Sequence, residues 1–259
     1  MFPNTLCQKL GLELTPDIEA RIEKAKASID LMDTLNVGRY GAPEHSKHDI
    51  GHEHNEAVNG ISGAITSLVS SLEAADPQLA LKRKKSGWFA RFTGQDALRK
   101  VEYVRATEGI DQQLAEVPVR IERLEKIVRL LDKDYRALLE TQHELKIHLV
   151  AGQWFLEENP DAGSESAHGY GLNAPRDRFN KRLQNLAALM TSNDATLHQI
   201  QLLQANSINM LDRLHEITTV LVPSWRAHRM GLYVNDQDYE AIREATKAHE
   251  ALVESLRAL

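Results

Sequence analysis

The chain has 259 residues, with 31 Lys and Arg against 37 Asp and Glu, a net charge of −6. That balance excludes a general polyanion binder, so any basic patch acts locally. Aromatic residues are 5% and charged residues 26%, which favours helices over sheets, and no apolar run approaches the roughly 20 residues of a membrane span. Cys7 is the single cysteine, so no intrachain disulfide forms, in keeping with a reducing cytoplasm. The start, MFPNTLCQKLG, lacks the basic segment and apolar core of a secretory signal. The expectation is a soluble, cytoplasmic protein that can still touch a membrane from one side.

Thr15-Pro16-Asp17 predicts a helix start: a capping hydroxyl, a proline suited to the first helical position and an acid at the positive end of the dipole. Ile18, Ile22, Ile29 and Met32 continue it as a stripe, and Gly38 follows its end. Residues 38–55 read as a loop containing four histidines. A second helix runs from Asn55 to Ala75 on Val58, Ile61, Ile65, Leu68 and Leu72, and Asp76-Pro77 stops it. The stretch KRKKSGWFARFTG, Lys82 to Gly94, comes next.

From Ile110 the apolar positions alternate by four and three: Ile110, Leu114, Val117, Ile121, Leu124, Val128, Leu131, Tyr135, Leu138, Gln142, Leu145, Leu149, Gly152 and Leu156. A 3.5-residue repeat of this length requires a partner helix. A second run passes through Leu183, Leu186, Met190, Asn193, Leu197, Ile200, Gln204, Ser207, Leu211, Leu214, Thr218, Leu221 and Trp225. Asn159-Pro160 and glycines 163, 169 and 171 separate the two. The prediction is an all-α protein with an elongated, coiled-coil-like antiparallel hairpin whose tip carries Trp154, Phe155 and Tyr170. Pro118 predicts a kink or restart in the first arm. Gln142, Asn193, Gln204, Ser207 and Thr218 are polar seam positions, expected either to fix register or to face a third helix or solvent. A final helix is predicted over 236–256, capped by Asn235, with Tyr239, Ile242, Leu252, Val253 and Leu256 on its stripe. The expected division is 1–81 (short helices and the His-rich loop), 82–94 (basic–aromatic linker), 95–232 (hairpin) and 233–259 (C-terminal helix).

Three stretches carry a family resemblance: KKSGWFARF leading into a long helix, ERLEKIVRLLDKDYRALLE, and NMLDRLHEITTVLVPSWRAHRMGL, with its Pro-x-Trp step at Pro223 and Trp225 closing a long helix. Over roughly residues 80–232 the chain resembles the bacterial toxic-anion (tellurite) resistance proteins of the TelA/KlaA type. The resemblance implies resistance or stress biology and specifies no reaction. It marks Trp88, Phe92, Pro223 and Trp225 as structural motif residues.

Two clusters invite a functional reading. EHSKHDIGHEH places His45, His48, His52 and His54 among carboxylates, an imidazole set suited to zinc or nickel. Against it stand the missing cysteine ligands, Gly51, and the ordinary alternative of a solvated polar loop. Lys82, Arg83, Lys84, Lys85 and Arg91 surround Trp88, Phe89 and Phe92. On anionic lipid each base contributes about 1 kcal/mol and the rings insert at the interface. The plainer reading has Trp88 and Phe92, one turn apart, docking on the protein while the bases stay in water. Nucleic acid is disfavoured, because one basic run gives phosphates no track.

Catalytic motifs are absent: no phosphate loop, no dinucleotide fingerprint and no HExxH. Cys7, expected near a frayed terminus, is a poor nucleophile candidate. The function expected is a non-enzymatic scaffold or adaptor without a cofactor, contacting other proteins through helix faces, with self-association open. The alternatives are a peripheral membrane protein using 82–92 and, more weakly, a metal-binding protein using 44–54.

Overall fold

The computed structural model describes residues 4–42, 50–75, 95–164, 174–234 and 239–259. Among them all regular structure is helical, as the composition and periodicity predict. The chain divides into two units, each drawn from separate stretches: Met1–His48 with Asp132–Leu202, and Asp49–Leu131 with Leu203–Leu259.

In the first unit, α1 (Asn4–Lys9) and α2 (Pro16–Ala27) precede the short α3 (Thr34–Arg39). Thr15 caps α2 as expected, its hydroxyl accepting from the Ile18 N–H at 3.3 Å, with Pro16 at the first position. Thr15→Ala is therefore expected to lower stability by about 1 kcal/mol, read as a shift in the urea midpoint.

The stripe from Ile18 does not continue to Met32. Helix α2 stops at Ala27, and Met32 is 67% exposed. Polar side chains here compete with the helical backbone. Ser28 Oγ donates to the Ala25 carbonyl, Asp30 Oδ1 accepts from the Met32 N–H, and Asp33 caps α3 by accepting from the Leu35 N–H at 2.8 Å. Gly38 falls inside α3, not after a helix end.

The long helix α5 (Gln95–Glu158) gives its last part to this unit, and α6 (Pro175–Glu216) returns alongside it. The pairing is antiparallel: Arg176 bonds the Leu156 carbonyl, Gln142 reaches Met190, and Gln201 reaches Tyr135. Leu145, Leu149 and Leu156 pack on Phe179, Leu183 and Leu186. On the other side, Ile147, Val150 and Ala151 pack on Cys7, Ile18 and Ile22. Covering on two sides explains why the sequence is apolar nearly all round here. Gly152 permits the close approach, since a Cβ there would lie 2.5 Å from Leu183 Cδ2. Helix α5 ends at Asn159-Pro160, as predicted.

The second unit contains α4 (Ile50–Ala74), the first part of α5, the end of α6, a π-helical turn (Ile217–Leu221), α7 (Val222–Val234) and α8 (Tyr239–Arg257). Helix α4 begins five residues before the predicted Asn55, so His52 and His54 are helical. Helix α5 passes through Pro118 without a restart; the proline is exposed. Leu68, Leu72, Ile110, Leu114, Ile217, Val222, Trp225, Leu252 and Leu256 form one apolar cluster, and Ile61, Val117, Ile121, Leu124, Leu211 and Leu214 form another. Ile242, Leu252, Val253 and Leu256 of α8 are buried, as its stripe predicts. Asn235 lies outside the described residues.

Candidate functional site

Lys82, Arg83, Lys84, Lys85, Trp88, Phe89, Arg91 and Phe92 lie outside the described residues, as do His45, His48 and Tyr170. His52 is exposed on α4, whereas His54 is only 4% exposed. His54 Nε2 lies 2.8 Å from Ser207 Oγ, and that hydroxyl donates to the Leu203 carbonyl at 2.8 Å. Ser207 therefore accepts from His54 Nε2–H, and Nδ1 carries the lone pair, buried and without a partner. The arrangement is no Ser–His nucleophile pair, because the serine proton points away from the imidazole. A zinc or nickel site using His54 would have to reach its buried Nδ1, since Nε2–H is held by Ser207. Among the described residues, no group of three or more His, Cys, Asp or Glu side chains is placed to hold a metal ion.

Cys7, expected near a frayed end, is fully buried. Its apolar surroundings push the thiol pKa up, which suppresses the thiolate. Of the polar seam positions, Gln142 donates to the Met190 carbonyl at 3.1 Å and to Asp194 Oδ1 at 2.7 Å. With Ser207, it shows how buried polar groups tie one helix to another at a defined height.

The Pro223–Trp225 motif is where the geometry departs most from expectation. Pro223 does not end a helix. The chain makes a π turn, with the Val222 N–H bonded to the Ile217 carbonyl, and then resumes as α7. The extra residue absorbs the backbone bond that a proline cannot donate. It also shifts the seam: Ile217 and Val222, five apart, are buried, while Thr218 and Leu221 are only half-buried. The Thr218 and Thr219 hydroxyls bond back to carbonyls of the preceding turn.

Beyond the turn, Trp225 is 3% exposed and the Arg229 guanidinium lies 4.8 Å from its ring centroid. Asp111 on α5 accepts from Arg226 Nε and Arg229 Nη2, each at 2.9 Å. Two guanidiniums on one carboxylate leave a local excess of one positive charge. Sequence periodicity did not reveal Asp111, Arg226 and Arg229; the only signal was Arg229 at i+4 from Trp225, where a cation meets an aromatic face.

The first unit has its own polar focus. Tyr40 donates to the His148 carbonyl at 3.0 Å, and Arg182 Nε donates to the Tyr40 carbonyl at 2.8 Å. At the predicted tip, Lys26 Nζ sits 3.4 Å over the Trp154 ring and pairs with Glu158. Phe155 meets Phe179 edge-on at 6.3 Å.

These features describe an all-helical packing protein in which histidine, arginine and aspartate side chains join helices. The chain belongs to the family described as Toxic anion resistance protein (TelA), whose sequence profile matches residues 22–255. The resemblance read from residues 80–232 is thus borne out and extends through the His-rich stretch. The chain is 34% identical to Protein KlaA of Escherichia coli over 226 residues, covering 85% of this chain and 87% of that one. It is also 27% identical to Protein KlaB of Escherichia coli over 188 residues, 68% of this chain and 47% of that one. No solved structure matches the chain. Among the described residues, no helix is long and apolar enough to cross a membrane.

Proposed function

We propose that the chain is a non-enzymatic helical adaptor in toxic-anion (tellurite) resistance, working through protein contacts made by its helix faces. The observation that supports this most is the set of large apolar side chains left on otherwise polar helix surfaces. Val119 is 68%, Val220 57% and Ile208 46% exposed in the second unit, and Leu202 61% in the first. The family supplies the resistance setting. A photo-crosslinking amino acid at Val220, expressed in the native host under tellurite, is expected to give discrete protein adducts. The same probe at Lys247, a polar exposed position on α8, is expected to give none. No adducts at Val220, or identical ones at both positions, would overturn the reading.

A second reading rests on the sequence of residues 82–92. Four consecutive bases beside Trp88, Phe89 and Phe92 suit an anionic membrane surface, with an attraction that decays over roughly 8 Å at physiological ionic strength. Replacing Lys82, Arg83, Lys84 and Lys85 by alanine is expected to leave the melting temperature nearly unchanged and abolish flotation with phosphatidylserine vesicles. A wild-type chain that ignores such vesicles at low salt would end the membrane reading. The weaker metal reading, zinc or nickel on His45, His48, His52 and His54, is tested by calorimetric titration; no heat at micromolar protein would remove it.

A further inference from the structure

Tyr40 follows α3 and is gripped within the first unit. Its ring is 5% exposed and meets His148 edge-on at 5.0 Å and Phe179 at 5.1 Å. Its hydroxyl donates to the His148 carbonyl, and its own carbonyl accepts from Arg182. Gly41 follows with φ of +60°, and a Cβ there would lie 2.8 Å from Leu186 Cδ1 and 3.1 Å from His148 Cβ. Residues 40–41 are therefore seated against His148 with no slack.

His148 Nδ1 is buried and has no hydrogen-bond partner. A proton added to the ring would leave a buried N–H without an acceptor. The new charge would feel Arg182 of α6 and Arg21 of α2. Arg21 is itself paired with Glu144, one turn before His148 on α5, and the group from α3 is the Tyr40 phenol. We propose that His148 is an acid-sensitive latch: its protonation unseats Tyr40 and releases α3 and the residues after it, 34–42, from the rest of the first unit.

Burial, then Arg182 and Arg21, hold the seated imidazole below its ordinary range. Release removes the burial by Tyr40, the largest of these causes, so the open ring binds the proton more readily and falling pH favours release. The latch is closed above an ordinary imidazole pKa of about 6.5 and weakens as pH falls below it. Between pH 7.5 and 5.5 the opening equilibrium grows by up to about tenfold, the limit reached when the seated ring stays neutral throughout. His143 is lowered by its own burial and by Arg21 and Lys146, with Asp17 opposing, and serves as the control.

Hydrogen exchange of the Val37 and Tyr40 amides, which bond to Asp33 and Asn36 carbonyls, reads the latch directly. After correction for intrinsic exchange, wild type is expected to lose protection at these amides between pH 7.5 and 5.5, by up to about tenfold. The Leu149 amide is expected to hold. His148→Gln should remove the response, and His143→Gln should keep it. Unchanged wild-type protection, or the same response in His148→Gln, would overturn the proposal. Should His148→Gln not fold, an NMR titration of the wild-type His148 ring decides: protonation without any change at Val37 and Tyr40 also overturns it.

Discussion

Leu131→Asp is expected to lower folding stability by about 4 kcal/mol or more, combining a lost buried leucine with a carboxylate that finds no partner. Leu131 is 1% exposed and stands on the heptad stripe that runs from Ile110. Its stripe neighbours Val128 and Tyr135 are half-buried, and Leu124 two steps before it is fully buried. Protonating the carboxyl lessens the charge penalty, so the defect should be smaller at pH 4 than at pH 7 relative to wild type. A urea melt followed by circular dichroism checks it. A midpoint equal to wild type would contradict the burial of this position.

The second large effect is expected at Trp225. Trp225→Ala should cost about 3–5 kcal/mol, the range for emptying a buried aromatic site. Its ring packs among Ile110, Leu114, Val222, Leu252 and Leu256, so three separate stretches lose contact together. The Arg229 guanidinium loses its aromatic face as well, while its bond to Asp111 remains available. Hydrogen exchange should show the loss in α8, at Leu252 and Leu256, and Trp225→Phe should restore most of the protection. Full protection of α8 in the alanine variant would show that Trp225 does not join these helices.

The two long runs were legible because burial repeats along a helix. The run positions from Ile110 to Leu156 and from Leu183 to Leu214 are all buried or half-buried. What periodicity could not carry was the break between Ala27 and Thr34. There, three short polar side chains outbid an apolar stripe by bonding the backbone locally. Nor could it carry the π turn, which moves burial from Thr218 and Leu221 to Ile217 and Val222; a 3.5-residue template has no place for a step of five. Pro223 was legible as a motif and misread as a stop, because a proline that ends an α-helix also fits the start of a new helical segment after a widened turn.

The polar focus was the least visible in the sequence. His54 drew notice as one histidine of four, yet it is bound to Ser207, 153 residues away. Tyr40 and His148 are 108 residues apart, and Asp111 and Arg229 are 118 apart. No local pattern encodes such pairs. They arise because each unit is assembled from two distant stretches of chain.

We propose that the protein works through exposed helix faces. The most direct test is survival of the native host on graded tellurite, with the native copy replaced by a Val119→Ser, Ile208→Ser, Val220→Ser variant. These side chains are exposed, so the variant should fold and accumulate like wild type. At matched abundance the adaptor account predicts that protection falls to the level of the deletion strain. Wild-type protection from a folded triple variant would contradict it.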